Sequence, residues 1–528
     1  MAAKVSIPEF QTTAHDAIPA VYQAALATFR TNKTKDVEWR RVQLRRLYWA
    51  LVDYEPALLE ALYRDLHKSQ AESRLTEVEY VKGECLFLLK QLDRLVRDDA
   101  LGVPDVPLPF KPMNVRIRKE PLGTVLVIGP YNYPLMLLLS PLLGAIAAGC
   151  TAVLKPSELA PATAMVVTDL LAARLDRAAF AVVNGAVAET TALLGHKWDK
   201  IFFTGSAAVG TIVARKAAET LTPVCLELGG RNPAFVTRNA HLALAARRLL
   251  WGKTLNAGQV CMSANYILVD RAVVDSFIHF LHAAYRDMFP HGAKASPDLV
   301  RIVNARHFAR IKKILDTTRG RIVLGGQVDE ADLFIEPTAV LVDSPDDPAM
   351  AEETFGPVWS IYPYDTLEQA IEIANGVHRT PLGLYSFGTK AENEKVLGST
   401  TSGGASLNDA YMHGSINTVP FGGVGDSGWG AYHGKASFDT FTHFRTVAET
   451  PAWAEVLLRV RYIPYNTRLI DMFAKGNSNP GFDRNGQVVR GLGYWAGLLL
   501  GLGTTSLMAA VLRWLVVASA WYFYTTSR

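Results

Sequence analysis

Two side chains stand out as able to do covalent chemistry: a cysteine closing the run Asn-Ala-Gly-Gln-Val-Cys at 256–261, and a glutamate inside Leu-Glu-Leu-Gly-Gly at 226–230. Free cysteine is usually a small buried hydrophobe, and Cys261 taken alone reads that way. Gly258 and Gln259 ahead of it change the reading, because glycine lets a loop bring its backbone close to a reacting centre. A thiolate placed there can attack a carbonyl carbon, and its own backbone N–H can help hold the oxyanion that forms. Glu227 offers a carboxylate able to activate water. By residue type alone, a glutamate at a strand end is a solvated or salt-bridged group. Cys225, two residues earlier, shares that strand face and reads as packing.

Such groups must be carried by regular elements. Residues 122–154 hold no charge, yet prolines at 130, 134 and 141 and glycines at 123, 129, 144 and 149 argue against a membrane span. The pattern predicts a buried parallel strand at 124–128, a helix at 135–148 and a second strand at 151–155, one βαβ unit of a doubly wound sheet. A strand at 200–204 then runs into a glycine-rich turn, 205–210, and a helix expected over 211–219. The turn is not the GxGxxG fingerprint. Its place between strand and helix still sets backbone N–H groups where a pyrophosphate can sit, although Ser206 also suits an ordinary helix cap. Residues 15–100 read as amphipathic helices, 103–112 as a proline-rich link and 115–118 as an exposed strand. Strands and helices alternate again over 226–424.

The chain has 528 residues, too many for one core. A net charge of +4 gives no electrostatic case for a nucleic-acid partner. The cysteines at 85, 150, 225 and 261 show neither paired nor CxxC spacing, so no metal site is expected and a reducing compartment fits. The N-terminus carries no apolar run of signal-peptide length. The C-terminus differs: residues 491–512 are free of charge, and as a helix would be about 33 Å long against a hydrocarbon core of roughly 30 Å. Arg490 and Arg513 flank this stretch, and Trp514, Trp521, Tyr522 and Tyr524 follow like an interfacial belt. A tail anchor is expected, with Arg513 either at its edge or inside a longer tilted span. Glycines at 493, 497 and 501 allow helix pairing, or are simply loose glycine use.

These runs, together with Glu-Glu-Thr-Phe-Gly-Pro at 352–357 and Pro-Phe-Gly-Gly at 420–423, resemble the aldehyde dehydrogenase superfamily. The stretch 425–443 resembles its class 3 branch, which includes the membrane-bound fatty aldehyde dehydrogenases. The likeness covers roughly residues 15 to 447. It implies an α/β fold: a Rossmann-type NAD-binding domain (1–102 and 120–225), an α/β catalytic domain (226–424) and a small β oligomerisation flap (103–119 and 425–448). A membrane-proximal segment (449–490) and the anchor (491–525) follow. It makes Cys261 the nucleophile, Glu227 the base for thioester hydrolysis, and Asn132, by type a turn residue, the second oxyanion donor. Lys155 and Glu158 would hold the adenosine ribose and Gly205, Ser206 and Gly210 the pyrophosphate. Glu353 would hold the nicotinamide ribose, with Phe355 beside the ring; by type alone these are a surface acid and a core aromatic. A carboxylate at 158 disfavours the extra phosphate of NADP, so NAD is expected, with NADP tolerated through Lys155. Tyr131 stands where relatives often carry tryptophan, and residues 262–265 depart from the usual pattern, which bears on the substrate entrance.

The reaction expected is NAD-dependent oxidation of medium- to long-chain aliphatic aldehydes to carboxylic acids, through a Cys261 thiohemiacetal and thioester. The tail points to a lipid-derived substrate, since each buried CH₂ favours the bilayer by about 0.8 kcal/mol. Residues 454–475, with Val456, Leu457, Leu458, Ile463 and Leu469 among Arg459, Arg461 and Arg468, read as a segment lying on the membrane over the entrance. A homodimer is expected, its catalytic part facing the cytosol, at the endoplasmic reticulum, the mitochondrial outer membrane or the peroxisome. Two other readings stay open: the same chemistry on a soluble aromatic aldehyde or semialdehyde, and a catalytically idle structural protein with this fold.

Overall fold

Two largely parallel sheets carry the loops named above. The structure, a computed structural model, describes residues 7–100, 106–477 and 482–488, with 514–519, 521, 522 and 525. Residues 1–100 and 116–447 form one compact unit. Its first sheet has six strands in the order Phe180–Val182, Thr151–Lys155, Thr124–Ile128, Lys200–Thr204, Val224–Glu227, Gly428–Trp429. The first five are parallel and the last is antiparallel to its neighbour. Chain order reverses between Thr124–Ile128 and Lys200–Thr204, and in open α/β sheets that reversal opens a crevice at the carboxyl ends. Every residue of Thr124–Ile128 and Thr151–Lys155 is buried, as strands covered on both faces must be.

The uncharged stretch 122–154 is therefore core. Its helix, Met136–Ala148, is buried over nearly its whole length. Gly144 lets that helix approach another segment closely, since a Cβ there would lie 2.4 Å from the Ser437 carbonyl oxygen. The helix after Lys200–Thr204 starts at Ala207, four residues before the expected 211, because the Ser206 hydroxyl accepts the Val209 N–H and caps it there. The glycine-rich turn is thus shorter than its composition suggests.

The second sheet has seven strands in the order Arg321–Leu324, Thr338–Leu341, Val358–Tyr364, Ala264–Asp270, Asn232–Val236, Gly383–Phe387, Gly404–Leu407. All run parallel except the first. Leu249 and Leu250 of the helix Leu242–Thr254 and Phe277 and Leu281 of Val274–Met288 pack into one apolar cluster. Phe308 and Ile311 of Ala305–Thr317 and Ala370 and Ala374 of Leu367–Val377 pack into another. A third sheet pairs Asp99–Ala100, Arg116–Pro121 and Thr442–Val447 in antiparallel order. Residues 425–448 are accordingly divided: Gly428–Trp429 closes the six-stranded sheet and Thr442–Val447 pairs with Arg116–Pro121.

Residues 101–115 and 448–528 make a second unit. Within it the Glu449 N–H donates to the Met113 carbonyl at 2.7 Å. Short helical turns, Ala452–Ala454, Glu455–Leu458 and Arg459–Arg461, precede the helix Thr467–Asn477. Of the expected anchor, 491–525, the charge-free stretch 491–512 lies outside the described residues. Among the described residues no helix is long and apolar enough to cross a membrane.

Candidate active site

The loop before Cys261 has an unusual backbone. Asn256, Ala257 and Gly258 all take left-handed conformations, with φ of 49°, 51° and 69°. Non-glycine residues are disfavoured there by roughly 1–2 kcal/mol each, so surrounding contacts must hold them. The Asn256 backbone N–H donates to Glu72 Oε1 at 2.8 Å, and its side-chain amide donates to the Asn132 and Gln259 carbonyls at 2.8 and 3.0 Å. The Gln259 amide donates to the Arg301 carbonyl at 3.0 Å, and its Oε1 accepts the Val303 N–H at 3.1 Å. Gly258 must be glycine for a second reason: a Cβ would sit 2.1 Å from the Gly356 carbonyl oxygen. On the far side, Asn232 Nδ2 donates to the Cys261 and Ser263 carbonyls at 2.8 and 2.9 Å, while its Oδ1 accepts the Gly383 N–H at 2.8 Å.

Asn132 follows the strand Thr124–Ile128, buried, with Nδ2 donating to the Gln259 carbonyl at 2.9 Å. An amide nitrogen carries two N–H groups, so a second donor remains beside the nucleophile loop. Cys261 is partly exposed, and crowding around its sulfur, reinforced by the charges of Glu353 and Glu227, pushes the thiol up to about 12. The backbone N–H groups of Cys261 and Met262 face the sulfur and oppose that rise.

Glu227 is 3% exposed, and neither carboxyl oxygen has a hydrogen-bond partner among the described residues. Burial holds it well above the usual carboxylate range. Buried polar atoms without partners are rare in folded proteins, and two on one side chain mark space for a water or ligand. Glu353 behaves alike: burial raises it to about 7 against the Gly230 N–H, Lys253 and Arg310, and its Oε1 has no partner among the described residues. Gly229 makes room for it, since a Cβ there would lie 2.4 Å from Glu353 Oε1. Burial also lowers Lys253 to about 7, with its ammonium donating to Thr354 Oγ1 at 3.1 Å. Phe355, itself left-handed at φ 41°, meets the Tyr131 ring edge-on at 6.0 Å. Cys261, Glu227, Asn132, Glu353 and Phe355 therefore converge, through contacts among four separate runs of sequence.

The remaining candidates lie along the carboxyl edge of the six-stranded sheet. Lys155 Nζ donates to Glu158 Oε2 at 3.0 Å and to the Pro156 carbonyl at 2.9 Å. Gly205 abuts the Phe203 ring, where a Cβ would come within 2.6 Å, and Ser206 caps the next helix. Gly210 sits inside that helix, where a Cβ would meet Leu228 Cδ2 at 2.7 Å, so it serves close helix–sheet packing. The set fits a dinucleotide laid over the strand-order reversal, with the Glu353 oxygen that lacks a partner among the described residues as a buried acceptor at its inner end. Asn232 and Glu72, which brace the Cys261 loop, carry no mark in their local sequence context. Among the described residues no cluster of metal-ligating side chains occurs.

Residues 2–447 match the aldehyde dehydrogenase family. The chain is 62% identical to the beta-apo-4'-carotenal oxygenase of Neurospora crassa over 99% of its own length and 98% of the relative's. It is 41% identical to aldehyde dehydrogenase family 3 member A2 of Rattus norvegicus, over 83% of this chain and 89% of that one. Among solved structures, a substrate-bound state of Staphylococcus aureus AldH superposes with a TM-score of 0.83 at 37% identity, covering 87% of this chain and 99% of that one. A cysteine loop braced from two sheets thus lies beside a crevice at a strand-order reversal, and the chain belongs to the aldehyde dehydrogenase family, in its class 3 branch.

Proposed function

We propose that this chain oxidises a long, apolar aldehyde of the apocarotenal kind to its carboxylic acid. Members of the family use NAD(P), which supplies the acceptor for the aldehyde hydride. Cys261 gives its thiol proton to solvent and adds to the aldehyde carbon as thiolate, and the second N–H of Asn132 with the Cys261 backbone N–H holds the oxygen as charge develops on it. Loss of hydride leaves a thioester on Cys261. Glu227 takes a proton from the water that hydrolyses it, and the thiol is regenerated as the acid leaves. Lys155 and Glu158 hold the adenosine ribose, and a carboxylate at that position supports NAD over NADP.

One observation carries the substrate class. The Neurospora relative aligns over 99% of this chain, through the residues beyond 447 where the family match ends, whereas the rat relative covers 83%. The C-terminal segment is thus shared with an enzyme named for an apocarotenal. Its apolar stretch, 491–512, supports a second reading, an aliphatic fatty aldehyde met at a bilayer, with the chain a tail-anchored homodimer facing the cytosol. Steady-state kinetics with β-apo-4'-carotenal, hexadecanal and benzaldehyde separate the readings. The first compound is expected to give the highest kcat/KM; a lead for hexadecanal selects the fatty aldehyde reading, and a lead for benzaldehyde removes both.

A further inference from the structure

Under the oxyanion donor lies a buried ion pair that no step above uses. Lys68 and Glu77 are both fully buried, with Nζ donating to Oε1 at 2.5 Å. They come from one segment, in which the helix Glu55–Leu66 ends at a left-handed His67 and a π-helical turn spans Arg74–Val78. Such turns are rare and often mark functional positions; this one follows the short helix Gln70–Ser73 and carries Glu77 inward.

The pair is aimed at one target. Lys68 Nζ also donates to the Asn132 backbone carbonyl at 3.2 Å and lies 4.1 Å from the centre of the Tyr133 ring. Glu77 Oε2 accepts the Leu135 and Met136 N–H groups at 2.9 and 3.3 Å. The two charges therefore grip residues 132–136 at both ends. The same segment reaches the other half of the site: Glu72 takes the Asn256 N–H, and the Leu66 carbonyl accepts the Arg301 N–H at 3.1 Å, beside the backbone that Gln259 braces.

We propose that Lys68 and Glu77 are positioning residues for the oxidation, acting through Asn132: the ammonium, shared between the Asn132 carbonyl and the Glu77 carboxylate, fixes where the Asn132 amide points. This rests on the reading of Asn132 as oxyanion donor. A solvated charge would serve stability alone, and buried ion pairs are often no more stable than apolar replacements of similar volume. What a matched apolar pair cannot supply is the second donor to the Asn132 carbonyl, beside the Asn256 amide.

The test is a cycle on the full chain with NAD and a long aldehyde. Lys68→Met alone strands a buried carboxylate, so the variant used is Lys68→Met with Glu77→Met, its fold checked by circular dichroism and thermal melting. Removing an oxyanion donor costs about 10²–10³ in kcat, and misplacing a group by about 1 Å can cost about 10². The double variant is expected to lower kcat by about ten- to a hundredfold, with the dinucleotide KM within about twofold. In an Asn132→Ala background it is expected to lower kcat less than about threefold further, because the group it positions is already gone. Unchanged kcat in the folded double variant overturns the proposal, and so does a loss that multiplies in full with that of Asn132→Ala. If Asn132→Ala itself is harmless, the donor reading fails first, and the cycle shows it separately. Should the methionine pair not fold, Lys68→Arg decides: a planar fork does not reproduce a point ammonium shared between two oxygens, so kcat falls with KM held. Wild-type kcat in a folded Lys68→Arg enzyme then overturns the proposal.

Discussion

The Cys261 side and the Lys155–Glu158 side of this candidate site are built differently. Around Cys261 the backbone, left-handed at 256–258, is braced by the amides of Asn132, Asn232, Asn256 and Gln259, none more than 2% exposed. Along the carboxyl edge of the six-stranded sheet the visible devices are an ion pair, Lys155–Glu158, whose acid is 38% exposed, and a solvent-facing Ser206 cap. Covalent chemistry needs atoms placed to a fraction of an ångström, and only side-chain bonds to otherwise unsatisfied backbone groups give that precision. A large ligand held by many weak contacts tolerates slack at each one. The inner carboxyls Glu227 and Glu353 are driven toward their neutral forms by burial.

The largest effect expected from that contrast is at Glu227. Glu227→Gln should lower kcat by about 10²–10⁴, the usual contribution of a general base. Rapid mixing should still show one burst of NADH per site, because thioester formation precedes hydrolysis. A loss within about tenfold would erase the distinction between inner and outer acids. The next concerns the thiol. Burial penalises the thiolate, so Cys261 stays protonated below its raised value, and alkylation by iodoacetamide in the dinucleotide-free chain should speed up about tenfold per pH unit between 7 and 9. Mass spectrometry can assign the label, since Cys85, Cys150 and Cys225 are buried. A flat profile across that range would show a preformed thiolate and break the comparison. The smallest effect belongs to the outer edge: Glu158→Gln should raise the NAD KM about fivefold, since exchanging a charged hydrogen bond for a neutral one costs about 1 kcal/mol, with kcat within about twofold. A kcat loss comparable to that of Glu227→Gln would show both sides equally constrained.

The parts of this molecule legible in its sequence are those whose signal is local. The strands at 124–128, 151–155 and 200–204 lie where the apolar runs place them, because a parallel strand covered on both faces must be continuously hydrophobic. The helix after Ser206 begins earlier than its glycines suggest, since one hydroxyl bond outweighs a composition that favours a loop. Cys261 and Glu227 were candidates because each sits in a distinctive run, and Asn132, by type a turn residue, only through the family resemblance. Lys68 and Asn232 were not. Lys68 reaches Asn132 across 64 residues and Asn232 reaches Cys261 across 29, and a lysine or asparagine bonding a distant carbonyl looks in sequence like any surface polar group.

By itself, the sequence determined the family, the order of the main elements and which sulfur is the nucleophile's candidate, since these depend on short runs and on apolar periodicity. Only the folded chain decided that Glu227 and Glu353 are buried, with oxygens that have no partner among the described residues, while Glu158 reaches solvent, and that Lys68 and Glu77 lie beneath Asn132. Desolvation and long-range hydrogen bonding depend on which atoms from remote segments crowd a group, and no stretch of neighbouring residues encodes that.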